Sequence, residues 1–494
     1  MLQYLKRLSS LQFALFGGAI ATTATFSILS PIWCSSVRAA LQNSPKAIVD
    51  EVWQHVAREY VDGTFNQTDW QATRSELLNK NYTSSEQAYA SVRVALARLN
   101  DPYTRFLDPK QFEVLTSQTS GEVSGVGIRM ELNEKTKLLT VVEAIQNSPA
   151  LKAGLKAGDQ ILAIDGKPTK GMDVEDASKL IRGKAGTPVT LKIGRQGQNA
   201  SDLKLTRANI ELPTVRHTLK QEGNKRVGYI SLREFSAHAP EQMQRAINDL
   251  RRQQVNAFVL DLRGNPGGLL TSGIDVARMW LDNGAIVKTV DRQGASEEIK
   301  ANKTALTQLP LVVLVDGNSA SASEIVAGAL QDNQRAVVVG SQSFGKALVQ
   351  SVHSLSDGSG LAVTVAHYYT PKGTDISHKG ITPNVKIDLS DAQKLKLASN
   401  PTLIGTENDP QYARAIALIA NNSFAQYEKN PVSKSATVQW IRQGDKGTRR
   451  QGDNGNSEFY LTYHSPLTSY HSPLATHHSP LATRHSPLVW SNIR

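Results

Sequence analysis

Two short runs without a single polar residue, Ala257-Phe-Val-Leu260 and Leu311-Val-Val-Leu-Val315, constrain this chain more than any other feature. A strand that is apolar on both faces must be covered on both faces, which places it in a helix-covered sheet. The surrounding sequence supplies the helices. Val227-Gly-Tyr-Ile-Ser-Leu232 reads as a further strand, Pro240 to Gln254 as a helix with Met243, Ala246, Ile247 and Leu250 on one face, and Ser323 to Leu330 as another helix. Strand, helix and strand recurring in this way predict an α/β core with right-handed crossovers from about Glu211 to Ile387.

Both apolar runs end in turns of small residues. After the second comes Asn318-Ser-Ala-Ser-Ala-Ser-Glu324, which puts Ser321 at the junction of strand and helix. There the unpaired N–H groups and the helix dipole favour an alkoxide and the oxyanion of a tetrahedral intermediate. Ser321-Ala-Ser-Glu324 also fits a capping box, which in isolation is the commoner explanation. After the first run comes Asp261-Leu-Arg-Gly-Asn-Pro-Gly-Gly268, whose glycines permit close approach of backbone N–H groups to a ligand. A serine hydroxyl still needs a base, and Phe344-Gly-Lys-Ala-Leu-Val-Gln350 offers Lys346.

The order of these three segments resembles that of the carboxyl-terminal processing, or tail-specific, proteases, which are Ser/Lys peptidases, and the match runs from about Pro45 to Ile387. The resemblance implies Ser321 as nucleophile, Lys346 as general base 25 residues on, Gln350 as the group that orients the lysine, and the N–H groups of Gly267 and Ala322 as the oxyanion hole. It implies a core of the crotonase/Clp-like α/β fold. Ala347 stands where the family has glycine after the lysine, and Asn384 where it has aspartate. The function implied is an exported serine endopeptidase that cleaves near protein C-termini, with no cofactor; oxygenic phototrophs use similar enzymes to trim a photosystem II subunit. Two rivals stand beside it: a Ser/His/Asp triad drawn from Ser321, His367 and Asp261, and a peptide-binding scaffold on an inactive hydrolase fold.

From about Gly121 to Arg195 the chain resembles a PDZ domain, on the strength of Ser124-Gly-Val-Gly-Ile128, the Ala-Gly-Leu-Lys-Ala-Gly-Asp pattern ending at Asp159, and Gln160-Ile-Leu-Ala-Ile-Asp-Gly166. Such a module adds a peptide C-terminus as a strand and captures its carboxylate on loop N–H groups, here those of Val126, Gly127 and Ile128. Asp159 reads as a structural cap of the following turn.

Residues 1–39 carry Lys6 and Arg7, then apolar and small residues, and end in Val37-Arg-Ala39 with no acidic side chain, the pattern of a secretory signal. Leu11 to Trp33 is also long enough to span a membrane as an uncleaved anchor. Cys34, the sole cysteine, leaves with a cleaved signal, so neither disulfides nor cysteine metal sites are expected. Ser44-Pro45 opens a helix with Ile48, Val49, Val52, Val56 and Tyr60 at helical spacing, and Ser84-x-x-Gln87 opens another that stops at Asn100-Asp-Pro102. Asp101-Pro-Tyr-Thr-Arg-Phe-Leu107 reads as a packing linker, and Asp409-Pro410 as the start of a last helix.

The expected division is a signal over 1–39, a helical domain over 40–115, a PDZ domain over 116–207, the protease core over 208–390, a helical segment over 391–430 and a disordered tail over 431–494. In that tail His464, His471, His478 and His485 each begin a His-Ser-Pro-Leu unit, and the prolines exclude a coiled coil despite the seven-residue period. No functional metal site is assigned to its five histidines. The net charge of +11 is diffuse and partly in the leader and tail, without a nucleic-acid-binding pattern; it is compatible with association at an anionic membrane surface. The expected partners are substrate C-termini.

Overall fold

A computed structural model describes residues 44–422; the signal and the His-Ser-Pro-Leu repeats lie outside the described residues. Helix α1 (Pro45–Glu59) starts where Ser44 Oγ accepts from the Ala47 N–H, and it buries Ile48, Val49, Val52 and Val56 as its apolar spacing requires. It packs with α2 (Trp70–Asn79) and α3 (Ser85–Ala97). Helix α2 escaped the sequence reading because its buried face is only Trp70, Thr73 and Leu77, too sparse for a clear helical period. The buried cluster of these helices also contains Phe106, Leu355, Leu361 and Val363, so they share a core with strands of the hydrolase region.

After β1 (Arg105–Leu107), helix α4 (Pro109–Ser120) is held by an Asp108/Gln111 capping box and ends at Gly121, whose φ of 71° favours glycine. Strand β2 (Glu122–Gly125) leads into the second unit and later pairs with β9 (Ala208–Glu211). Between them lie β3 (Ile128–Leu132), β4 (Leu139–Ala144), α5 (Pro149–Lys152), β5 (Gln160–Ile164), β6 (Lys167–Pro168), α6 (Val174–Ile181), β7 (Pro188–Gly194) and β8 (Ser201–Thr206). Its antiparallel sheet runs β3-β4-β5-β7-β8, so β3 is an edge strand, and α6 packs beside it. Asp159 caps its turn by accepting from the Lys156 N–H at 2.9 Å and also pairs with Arg195 at 2.7 Å.

The third unit begins with β10 (Val215–Glu222) and β11 (Lys225–Leu232), followed by α7 (Ala239–Arg252), β12 (Ala257–Asp261), α8 (Leu270–Arg278), β13 (Ala285–Asp291), β14 (Ser296–Lys300), β15 (Leu311–Val315), α9 (Ala322–Asp332), β16 (Val337–Gly340), β17 (Leu348–Ser354), β18 (Gly360–Tyr369), β19 (Val385–Lys386), α10 (Asp391–Ser399) and α11 (Pro410–Ala420). The main sheet has the order β10-β11-β12-β15-β16-β19 and is parallel apart from β10. Strand β15 shows why the apolar runs had to be apolar throughout. Leu311, Val313 and Val315 face a cluster with α7, α8 and α9, whereas Val312 and Leu314 face Tyr412, Ala415 and Leu418 of α11.

A second, antiparallel sheet, β1-β18-β13-β14 with β17 on the other side of β18, was not anticipated. Its strands come from distant segments, and β17 is half-buried over its first four residues and partly exposed at its end, with no fully buried position and no long apolar run to mark it.

Candidate active site

Ser321 is the N-cap of α9 with φ 55° and ψ −114°, a conformation that a residue with a Cβ adopts at a cost. The surroundings enforce it. Its N–H donates to Glu324 Oε2 at 2.8 Å, and its carbonyl oxygen accepts from the N–H groups of Glu324 and Ile325 at 2.9 Å. The glutamate half of the capping box is therefore present at the same residue that carries the strained turn.

The serine turn is sewn to the Asp261–Gly268 turn. Ser319 Oγ donates to the Leu262 carbonyl oxygen at 2.9 Å, Ser323 Oγ to that of Asn265 at 2.9 Å, and the Ala320 N–H also to Asn265 at 3.1 Å. At Gly267, with φ 104°, a Cβ would stand 2.8 Å from the Ala320 oxygen, 2.9 Å from Ser321 Cβ and 3.1 Å from the Ala322 nitrogen. Only glycine fits there, and the contacts place Gly267 and Ala322 together around Ser321. The Gly267 N–H is engaged in this structure, donating to Asn265 Oδ1 at 2.9 Å. Ala322 is the first helical residue, where the N–H has no intrahelical partner.

Behind this turn Arg263 bridges two buried carboxylates, Asp261 and Asp409, at 2.7 Å each, and Tyr229 donates to Asp261 Oδ2 at 2.6 Å. Burial opposes the Asp261 charge, but Arg263 and Tyr229 outweigh it and hold the carboxyl below its usual range. Asp261 is thus committed to Arg263 and Tyr229, and His367, exposed on β18, is not among its hydrogen-bond partners.

The lysine loop meets the serine turn at Glu324, a residue 1% exposed. Its carboxylate accepts from Ser343 Oγ at 2.6 Å, the Gly345 N–H at 2.7 Å and the Lys346 N–H at 3.0 Å, in addition to Ser321. Tyr368 OH adds a second tie, donating to the carbonyl oxygens of Ser321, at 3.2 Å, and of Lys346. The sequence reading treated Glu324 as a cap alone. Its additional partners lie some twenty residues downstream, where no local pattern announces them.

Lys346 is half-buried, with Nζ 4.5 Å from the centre of the Tyr103 ring. Burial foremost, and nearby Arg105 after it, lower its pKa to about 8 against the opposing charges of Asp101 and Glu324. The segment from Asp101 to Leu107, which reads from sequence as a packing linker and does bury Phe106 and Leu107, also supplies the lysine's surroundings.

Gln350 lies in β17, whereas Lys346 precedes the strand, and a register shift falls between Val349 and Gln350. The four-residue spacing therefore does not by itself put them on one face. The Gln350 amide donates to Thr364 Oγ1 at 3.5 Å. At the two departures from the family pattern, Ala347 is 2% exposed in the core, and Asn384 Oδ1 accepts from the Val338 N–H at 2.8 Å and from Gln331 at 3.1 Å, as an aspartate oxygen would.

In the PDZ-like unit, Gly127 has φ 80°, and a Cβ there would stand 2.3 Å from Ser148 Cβ. Its carbonyl oxygen accepts from the Ile145 N–H at 2.8 Å and Ser148 Oγ at 3.2 Å, and that of Val126 accepts from the Ala150 N–H at 2.9 Å. These bonds fix the loop from Val126 to Ile128 at the start of edge strand β3.

Comparison with known proteins agrees with this architecture. The profile of peptidase family S41 matches residues 226–387, and a PDZ domain profile matches residues 140–195. A carboxyl-terminal-processing protease of Picosynechococcus sp. is 43% identical over 373 residues, covering 75% of this chain and 88% of that protein. One of Synechocystis sp. is 41% identical over 78% of this chain and 89% of its own length. The chloroplastic carboxyl-terminal-processing peptidase 2 of Arabidopsis thaliana is 39% identical over 74% of each. The chain belongs to peptidase family S41 and is a serine-type peptidase of the carboxyl-terminal-processing group.

Proposed function

We propose that this peptidase grips the free C-terminus of a protein substrate on its PDZ unit and cleaves nearby with Ser321, using neutral Lys346 as the base. The observation that carries the reading is Glu324, whose one buried carboxylate joins the backbone of the serine turn to that of the lysine loop. Lys346 Nζ takes the Ser321 proton as Oγ attacks the scissile carbonyl. The N–H groups of Gly267 and Ala322 receive the oxyanion, the first after leaving Asn265. Collapse breaks the C–N bond, the lysine returns its proton to the leaving amine, and water then hydrolyses the ester. Gln350 orients the amine once the substrate is in place.

Carboxylate capture falls to Val126, Gly127 and Ile128, since β3 is an edge strand with α6 beside it, the layout that strand addition requires. Export to the periplasm or thylakoid lumen accounts for the basic, apolar leader, and it matches the chloroplastic location in the name of the Arabidopsis relative. Membrane-surface association through the excess positive charge is a lesser part of the proposal.

The test is hydrolysis of matched peptides with a free or amidated C-terminus. Amidation is expected to raise KM strongly and leave residual kcat, because capture supplies binding rather than bond-making. Ser321→Ala is expected to abolish turnover of both. Equal KM for the two peptides would remove the PDZ role, and an active Ser321→Ala enzyme would remove the nucleophile.

A further inference from the structure

Away from the serine, three side chains capable of binding a metal converge where α1 meets β17. His55 and Glu59 lie one turn apart on α1, and His353 comes from β17. His353 Nε2 is 2.7 Å from Glu59 Oε2, His55 Nδ1 is 3.7 Å from Glu59 Oε1, and the imidazole rings stack with centroids 4.0 Å apart. All three ligand atoms lie within 4.8 Å of one another.

We propose that His55, Glu59 and His353 form a site for a divalent transition metal, Zn2+ by preference, that staples the N-terminal helices to β17. Tetrahedral coordination with bonds of about 2.0–2.1 Å requires ligand atoms about 3.3 Å apart. The two separations to Glu59, 2.7 Å at Oε2 and 3.7 Å at Oε1, lie on either side of that value and all three ligand atoms lie within 4.8 Å, so binding requires the stacked imidazoles to turn until their lone pairs converge. Two imidazoles and one carboxylate are a zinc-type donor set that leaves a fourth position for water.

The site already attracts a cation. Arg58 places its guanidinium 3.0 Å from His55 Nδ1 and 2.7 Å from Glu59 Oε1. A guanidinium only donates, so His55 Nδ1 presents its lone pair there, as a metal ligand must. Arg58 is 62% exposed against 18% for His55 and 20% for His353, and it can swing into solvent when the metal enters. On binding, His353 Nε2 gives up any proton it holds to solvent, so that its lone pair faces the metal. The third ligand lies 294 residues from Glu59, so no sequence motif marks the site.

The test is peptide-resolved histidine carbethoxylation of the full chain by diethylpyrocarbonate, with Zn2+ or with EDTA. Zn2+ is expected to slow modification of His55 and His353 at least tenfold while His217 and His238, each facing a single carboxylate, are unchanged. Equal modification of His55 and His353 in both conditions would overturn the proposal. Thermal unfolding of the same chain gives a second readout. Zn2+ is expected to raise Tm of the native protein, and Glu59→Gln and His353→Gln are each expected to lose that rise. The repeat histidines are present in every variant, so a rise retained in both would assign the metal to them and refute the site. The footprint needs no variant and stands whether or not the substitutions fold.

Discussion

The serine turn and the lysine loop reach one site by opposite constructions. The serine turn is made of two βα junctions of a parallel sheet, each following a wholly buried strand, and is closed by Ser319, Ser323, Asn265 and Gly267 within the core. The lysine loop leads into an antiparallel strand of another sheet and takes its surroundings from Tyr103, Arg105 and Asp101, more than two hundred residues upstream. The first half is fixed by its own backbone. The second is tuned by a neighbour, and Glu324 is the joint between them. In the proposed mechanism, catalytic geometry resides in the serine turn and proton affinity in the lysine loop.

Removing the base should break the comparison most severely. Lys346→Ala and Lys346→Arg are both expected to lower kcat/KM by about 10^4, because a guanidinium stays charged and cannot accept the serine proton. An Lys346→Arg enzyme within tenfold of the native rate would mean the lysine acts only as a cation.

The serine half should respond in stability. Arg263→Leu leaves Asp261 and Asp409 buried without their partner, and a loss of about 3–5 kcal/mol is expected from the denaturation midpoint at neutral pH. The sign with pH follows from the depressed Asp261 pKa: its contribution is complete above the unfolded value of about 3.9 and disappears as pH falls through the lower folded value. The difference between native and variant should therefore shrink in acid, and a difference independent of pH would contradict the pairing.

Glu324→Gln is expected to cost about 10- to 100-fold in kcat, with KM nearly unchanged. An amide offers one acceptor oxygen where the carboxylate's two serve Ser321, Ser343, Gly345 and Lys346. A change confined to KM would separate this residue from the chemistry.

The smallest effects sharpen the account of the lysine. Arg105 pushes the Lys346 pKa down and Asp101 pushes it up, so Arg105→Gln should move the alkaline rise of the rate to higher pH and Asp101→Asn to lower pH, with the plateau preserved. Shifts of the same sign in both would show that the segment acts through packing alone.

The same contrast explains what the sequence disclosed. The parallel sheet was legible because β12 and β15 are apolar on both faces, and Ser321 because strand and helix meet at a run of small residues. Asp409-Pro410 announced α11 for the equally local reason that the Asp409 side chain accepts from the Tyr412 N–H. The antiparallel sheet, the tie between Glu324 and the lysine loop, and the Tyr103 ring over Lys346 depend on contacts between distant segments, which periodicity does not record. Gln350 was singled out by resemblance and a spacing rule, and the strand irregularity before it shows why spacing alone does not fix its direction.

The pH dependence of kcat/KM on a peptide with a free C-terminus tests the central claim most directly. At pH 7 a lysine of pKa about 8 is neutral in roughly one molecule in ten, so the rate should rise about tenfold to a plateau through one ionisation near 8. That ionisation should persist in His367→Ala and move upward in Arg105→Gln. A rise that is abolished by His367→Ala and unmoved by Arg105→Gln would give the base to histidine and contradict the Ser321/Lys346 pairing.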